Sequence, residues 1–436
     1  MSIFETYKNT PYMAHTSLNI LCISRFFKGG DFMTGAKAAG HHVYLLTSNQ
    51  LDKSPWPWES LEDVFYMVED SHGLWNHEHL IAGLAYKMRS IKFDILVALD
   101  DFDVEHVAFL REYFRIPGMG ETTARYFRDK LAMRIKAQTE GINVPAFTPL
   151  FHDADIHSFA ERVAPPWIVK PRMQASAAGL KKIYSVDELW KHLKYLGEDR
   201  HEYLMEKFTP GDVYHVDALT VDGKVVFASV SGYLDTPFEV AHGGGIFRSV
   251  TLDKNSADYN ELKRINEHVM SAFGMQYSAS HTEFIKGKED GKFYFLETAS
   301  RVGGAHIAEM VEFASGINLW KEWARIEIAS KTNKQYKLPK VKDNHAGIIV
   351  SLCRFKNPDT AEFNDKEIVW RLKKEHHIGL ILHSKDRNRI ATLLTAYTER
   401  IRKDFHASAP AKEKLVGESH HEISHGEHDE NWYSKD

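Results

Sequence analysis

The chain of 436 residues has two cysteines, Cys22 and Cys353. Two are too few for a disulfide framework, and both suit ordinary buried thiols. No apolar run approaches the ~18 residues that span a bilayer, and Met1–Ser17 does not read as a signal peptide. Neither charge is in large surplus. The net charge of −5 excludes a general attraction to nucleic acid or membrane. A dinucleotide fingerprint is also missing, because Lys28-Gly29-Gly30-Asp31 lacks the required glycine spacing. What remains is a chain with 43% hydrophobic residues, ample for the packed interiors of two or three domains. A soluble cytoplasmic protein is expected.

The most informative stretch is 281–306. His281–Lys286 and Lys292–Thr298 are rich in aromatic and β-branched residues and flank Asp290-Gly291, the signature of a β-hairpin. Counting outward from a three-residue loop Glu289-Asp290-Gly291, with Gly291 left-handed, sets Glu283 opposite Glu297. Carboxylates that are direct cross-strand neighbours repel, and a divalent cation between them removes that cost. The alternative is a solvated edge hairpin with its acids turned into water. Arg301 follows Glu297 by four residues, and Gly303-Gly304 and a helix-like run over 307–314 come next. Carboxylates, a guanidinium and glycines that permit close approach suit a phosphorylated substrate neutralised by magnesium, which takes one or two carboxylates plus phosphate oxygens.

Earlier in the chain, Leu18–Ser24, His42–Ser48 and Phe93–Leu99 are short strands of the buried kind, separated by helical stretches at Phe32–Gly40 and His79–Ile91. They predict an open parallel sheet with a ligand crevice at its strand ends. Asp100-Asp101-Phe102-Asp103 lies just beyond the third strand, where it either orients a substrate or caps the next helix. Thr122–Thr139 reads as one helical segment carrying Asp129-Lys130. Pro166–Pro171 is a strand delivering Lys170 into the small-residue loop Arg172–Gly179, and Leu180–Tyr184 returns. This is a flap whose amides cover phosphates, or a plain flexible hairpin. Ser185-Val-Asp-Glu188 is a capping box for a helix reaching Leu196.

Glu206-Lys207-Phe208 sits at the exit of the strand that begins at Tyr203. Val213–Thr220 and Lys224–Ser231 pair around Asp222-Gly223, and Glu239–Gly245, with three glycines, reads as a mobile or ligand-approaching loop. Asn255–Phe273 is an amphipathic helix. Beyond the linker Lys331–Asp343, Ala346–Phe355 and Ile378–Lys385 read as strands and Asn388–Asp404 as a helix. The final stretch is rich in histidine and acid and poor in apolar residues, so a disordered tail is expected. Its His420, His421, His425 and His428 either catch a metal or simply stay solvated. The expected division is an N-terminal α/β domain (1–121), a central lid (122–208), a C-terminal lobe with the metal site (209–330), a small α+β unit (331–404) and the tail (405–436).

Taken in order, Lys130, Lys170 with its small-residue loop, Glu206-Lys207-Phe208, Glu283 and Glu297-Thr-Ala-Ser-Arg301 resemble the ATP-grasp superfamily of carboxylate–amine ligases, over roughly residues 18–385. His281-Thr-Glu283 and Glu297–Arg301 are similar to the form shown by bacterial L-amino-acid ligases. His306, five residues after Arg301, is similar to the biotin carboxylase motif. The resemblance implies an α/β and α+β fold: an open parallel pre-ATP-grasp sheet, a central lid and a C-terminal ATP-grasp lobe. It also implies an ADP-forming ligase that activates a small carboxylate, such as an amino acid, as an acyl phosphate and couples it to an amine.

Carried over residue by residue, the resemblance puts ATP phosphates on Lys130 and Lys170 and adenine on Glu206, Lys207 and Phe208. Ribose falls to Asp212 or Asp217, since Val213 stands where many relatives have an acid. Magnesium, with manganese as an alternative, falls to Glu283 and Glu297. Arg301 becomes the catalytic residue that stabilises the acyl phosphate. Ala299 stands where many relatives have an asparagine metal ligand, and there is no biotin-acceptor lysine motif. Another ATP-grasp activity (a carboxylase or a kinase) and a non-catalytic nucleotide-binding regulator stay open, as does a homodimer.

Overall fold

A computed structural model describes residues 17–409 except 72, 176, 177 and 333. His420, His421, His425 and His428 of the expected tail lie outside the described residues. The chain first builds a parallel sheet from Asn19–Ser24 (β1), His42–Ser48 (β2), Asp63–Met67 (β3) and Ile95–Ala98 (β4), in the order β3-β2-β1-β4. All four residues of β4 and five of the six in β1 are buried, as parallel strands covered on both faces require. The edge strand β3 is partly exposed, so its sequence lacks the buried-strand signature and gave no strand expectation.

A second, antiparallel sheet follows: Phe147–Pro149 (β5), Trp167–Pro171 (β6), Lys181–Ile183 (β7) and Tyr203–Lys207 (β8), in the order β5-β8-β6-β7. Helices Asp153–Arg162 and Val186–Leu196 cover it through Phe159, Leu189 and Leu193, packed with Trp167. The single helix expected over Thr122–Thr139 is two, Glu121–Arg125 and Lys130–Thr139. The break comes at Asp129, whose side chain accepts from the Leu131 N–H and starts the second helix.

The third sheet is antiparallel: Gly211–Val221 (β9), Lys224–Tyr233 (β10), Phe247–Thr251 (β11), Ser278–Gly287 (β12), Phe293–Ala299 (β13), His345–Leu352 (β14), Ile368–Arg371 (β15) and His377–Ser384 (β16). Its order is β13-β12-β9-β10-β11-β14-β16-β15. The strands expected in the 331–404 unit continue this sheet, because β14 pairs with β11 from Phe247↔Val350 to Val250↔Gly347. Helix Leu319–Lys331 sits between the first and third sheets, with Trp323 edge-on to Phe32 at 5.2 Å, in one core that also holds Ile20, Met310 and Ile348.

The glycine-rich stretch expected to be a loop is a helix, Pro237–Gly243. Thr236 and Glu239 form a full capping box, and Pro237 opens the first turn, so the start signal outweighs the glycines. Gly244, with φ +62°, ends the helix left-handed. No helix among the described residues is long and apolar enough to cross a membrane.

Candidate active site

The site is built on three neighbouring strands. β12 pairs with β9 over ten residues without interruption, and on its other side with β13. The turn between β12 and β13 has four residues, 288–291, rather than the expected three: Gly287 N–H donates to the Lys292 carbonyl, and Lys286 pairs with Phe293. Gly291 is left-handed, as expected. That turn alone would leave the glutamates out of step. A β-bulge at Leu296 adds one residue to β13, so that Phe284 faces Phe295 while Glu283 faces Glu297.

Side chains two apart on a strand share a face. His215 and Asp217 of β9 lie opposite Glu283 and His281 of β12, which lie opposite Glu297 and Ala299 of β13. The result is one polar patch three strands wide. Asp217, fully buried, takes His215 Nδ1 on one oxygen at 2.7 Å and His281 Nδ1 on the other at 2.8 Å. His215 Nε2 reaches Ser249 Oγ at 2.7 Å. Burial pushes the His281 imidazole down, but Asp217 and Glu283 more than reverse this and hold it up at about 10. Asp217 is correspondingly held far below the usual carboxylate range, since the two histidines outweigh its burial. With both oxygens engaged, Asp217 is not free for a ribose hydroxyl.

Glu283 accepts from the Tyr233 hydroxyl at 2.8 Å and lies 3.6 Å from His281 Nε2. Glu297 pairs with Lys130 Nζ at 3.0 Å. Burial raises the Glu297 carboxyl, yet Lys130, Lys170 and Arg134 together bring it down to about 2. Lys130 is placed by the new helix start: its neighbour Asp129 is clasped by Arg172, with Nε at 3.0 Å, and Lys130 Nζ also donates to the Gln174 carbonyl at 2.6 Å. This ties the start of the small-residue loop to the carboxylate pair. Ser176 and Ala177, in the middle of that expected flap, lie outside the described residues.

Behind Lys130 lies a buried cluster. β6 and β8 pair with Ile168 opposite Glu206, which makes Lys170 and Glu206 diagonal neighbours on one face, 2.8 Å apart. Arg134, one helical turn after Lys130, closes on the same carboxylate at 2.6 Å. Burial, reinforced by Arg134, pulls the Lys170 ammonium down to about 8 despite Glu206. Glu206 stays below the usual range, because Arg134 and Lys170 outweigh its burial. Arg134 was not foreseen in the sequence, although its i,i+4 spacing from Lys130 was the available signal.

The remaining expected residues lie further out. Lys207 is exposed, 3.6 Å from Glu289, and Phe208 carries the Lys182 ammonium 3.6 Å above its ring. Asp212 is exposed on β9, opposite Lys286. Arg301, just past β13, pairs with Asp101 at the exit of β4 and donates to the Val302 carbonyl at 2.8 Å. Burial works against the Arg301 charge, but Asp101 and Asp100 raise it above even the ordinary guanidinium range. Asp100 pairs with Lys28 at 2.5 Å and also accepts from the Phe102 N–H, so the acid cluster both caps and binds.

Of the ten expected site residues, Lys130, Glu283, Glu297 and Arg301 line one cavity of about 280 Å³, and the other six do not. Two carboxylates facing each other in that cavity form a hard-oxygen donor set that fits a divalent cation. Ala299 adds no ligand to it.

No protein-family model matches the chain. In sequence it is 31% identical over 277 residues to the L-arginine-specific L-amino acid ligase of Bacillus subtilis, covering 62% of this chain and 66% of that protein. It is 35% identical over 105 residues to the D-alanine–D-alanine ligase of Ralstonia pickettii (strain 12J), covering 24% of this chain and 32% of that one. The chain thus spans just under two thirds of the first relative and about one third of the second. Its fold is like the L-amino acid ligase from Bacillus licheniformis (TM-score 0.68, 17% identity, 89% of this chain and 98% of that chain). It is also like the biotin carboxylase from Campylobacter jejuni (TM-score 0.65, 14% identity, 87% and 90%).

Proposed function

We propose, on the premise that this chain is an ATP-grasp protein in fold and in sequence relationship, that it is an ADP-forming carboxylate–amine ligase. One observation carries the reading: Glu283 and Glu297 face each other in a cavity shared with Lys130 and Arg301. That combination suits the transfer of a phosphoryl group, where positioning and charge neutralisation matter more than covalent help.

A substrate carboxylate oxygen attacks the γ-phosphorus of ATP. The bond to the bridging oxygen breaks, and ADP leaves with its electrons. An amine then attacks the acyl phosphate carbon, and phosphate departs as the nitrogen loses a proton. Lys130 and, behind it, Lys170 supply positive charge to the phosphates. Glu206 is taken up by Lys170 and Arg134 and is left out of adenine binding. The adenine and ribose fall outside the cavity, toward Lys207, Phe208 and Asp212. Glu283 and Glu297 would hold magnesium, which when bound neutralises phosphate charge. Arg301, its guanidinium held by Asp101 and the Val302 carbonyl, sets its positive charge beside the transferred group. Asp101 orients Arg301 and keeps it beside the reacting oxygens.

The test supplies ATP, one amino acid and hydroxylamine, the last to trap an activated acid as its hydroxamate. ADP, phosphate and hydroxamate in equal amounts are expected. AMP with pyrophosphate would show attack at the α-phosphate and sink the reading. ADP with a stable phosphorylated acid resistant to amines would favour a kinase, and nucleotide binding without turnover a regulator.

A further inference from the structure

After helix Arg387–Asp404 the chain turns back as a short strap. His406 bridges to Cys353, Arg354 N–H donates to the Phe405 carbonyl at 2.9 Å, and Ala407 N–H donates to the Leu352 carbonyl at 3.1 Å. The buried Ser351 hydroxyl meets His406 Nδ1 at 2.8 Å, and Phe405 packs near Phe363 and Phe355. So anchored, residues 407–409 border the same cavity as the glutamate pair. The strap meets the end of helix Pro237–Gly243 closely: a Cβ on Gly244 would stand 2.8 Å from Ser408 Cβ. Val240, Ala241, Leu352 and Ala407 therefore share one small, uncharged stretch of the cavity lining.

The rest of the lining mixes apolar side chains, among them Phe26, Phe102, Met133, Phe247 and Ile307, with charged ones, and its carboxylates are engaged. Asp100 holds Lys28, Asp101 holds Arg301, Glu297 holds Lys130, and Glu283 takes the Tyr233 hydroxyl. None is left to receive a guanidinium or ammonium on a substrate side chain, and the strap wall adds Ala407 and Ala409 with only the Ser408 hydroxyl beside them.

We propose that the strap at Ala407, with helix Pro237–Gly243, gauges the side chain of the activated amino acid and admits a small apolar one. This rests on the ligase reading above. The half-buried Ala407 sets the space available, and each methylene that fits or clashes there is worth a ~10–200-fold discrimination.

The test uses the full-length chain with hydroxylamine as the acceptor, so that only the carboxylate substrate varies among glycine, alanine, valine, leucine, phenylalanine and arginine. Ala407→Leu should lower the ratio of kcat/KM for valine or leucine to that for glycine by at least about 10-fold, and Ala407→Gly should raise it. Arginine, the substrate in the name of the Bacillus subtilis relative, should be poorer than the small apolar acids. A wild-type preference for arginine overturns the apolar assignment. Ratios that move in neither variant overturn the strap's role while leaving the ligase intact. If Ala407→Leu does not fold, the direction of change in Ala407→Gly decides. No hydroxamate from any acid in the wild type overturns the ligase reading, and the proposal with it.

Discussion

Glu283 stands opposite Glu297 because of an extra residue at Leu296, not because of the turn that joins their strands. β12 is held on its other side by ten uninterrupted pairs with β9, so the edge strand β13 absorbs the irregularity. A bulge that brings two like charges together is costly unless something lies between them.

Removing one of these charges should separate chemistry from folding. Glu297→Gln is expected to cut ATP turnover by at least about 100-fold, or ~2.7 kcal/mol of transition-state stabilisation, with an unchanged far-ultraviolet circular dichroism spectrum. The loss should deepen as magnesium becomes limiting. Wild-type turnover at low magnesium in this variant would remove Glu297 from the metal-binding pair.

Lys170 predicts opposite trends for stability and activity. Its ammonium sits at about 8 in the folded chain, against 10.5 for an ordinary lysine. Between those values the unfolded chain binds more protons, so this group makes folding more favourable as pH rises from about 8. Over the same range free Lys170 loses the charge that would hold a phosphate. Accordingly kcat/KM for ATP should fall above pH about 8 while the Lys170 contribution to stability, read as the wild-type melting temperature minus that of Lys170→Arg, rises. Lys170→Arg should lose that limb, because a guanidinium keeps its proton. A limb that survives in Lys170→Arg assigns the titration elsewhere.

How far the sequence foretold this molecule depended on whether the signal was local. Three of the four strands of the first sheet were legible from short buried runs, and the hairpin from Asp290-Gly291. The opposed glutamates were anticipated through a three-residue loop that does not form, because a bulge is set by the neighbouring strand and leaves no local mark. The Pro237–Gly243 helix was missed because three glycines drew attention from Thr236-Pro237-Phe238-Glu239, whose capping box was written in the chain. His215 and Asp217 alternate with Val216 and Ala218, a period-two pattern that marks a polar strand face. Nothing local, however, placed them beside His281. The cluster of Lys170, Glu206 and Arg134 needed the register of β6 on β8 and the break at Asp129, both tertiary facts.

Arg301 should separate charge from geometry. It is largely buried against Asp101, so Arg301→Ala leaves an uncompensated carboxylate and should lose ~3–5 kcal/mol of stability along with turnover. Arg301→Lys keeps the charge but loses the fork of parallel donors. It should hold most of the stability and ATP affinity while kcat falls by about 100-fold, since the lost contact tightens in the transition state. Full turnover in the lysine variant would show that Arg301 acts only through Asp101, as a brace between the first and third sheets.

The buried histidines give the last prediction, which reads out in stability alone. Asp217 holds His215 and His281 on its two oxygens, and His281 is raised to about 10 from an ordinary 6.5. A raised folded value contributes stability that is fully present below pH about 6.5 and is lost as pH climbs towards 10. Asp217→Asn removes the charge that raises it and gives one oxygen a donor amide in place of an acceptor. At pH 6 the variant should be destabilised by ~3–5 kcal/mol, the cost of stripping one partner from a buried ion pair. By pH 9.5 the gap should have narrowed substantially, because the wild type has by then lost much of the same contribution. Denaturant melts of both proteins at these pH values, with the imidazole followed by nuclear magnetic resonance, measure the two quantities independently. A destabilisation equal at both pH values, or a His281 that titrates near 6.5 in the wild type, would mean that His281 is uncharged in the folded chain and that hydrogen bonds to the Asp217 carboxylate hold the trio together.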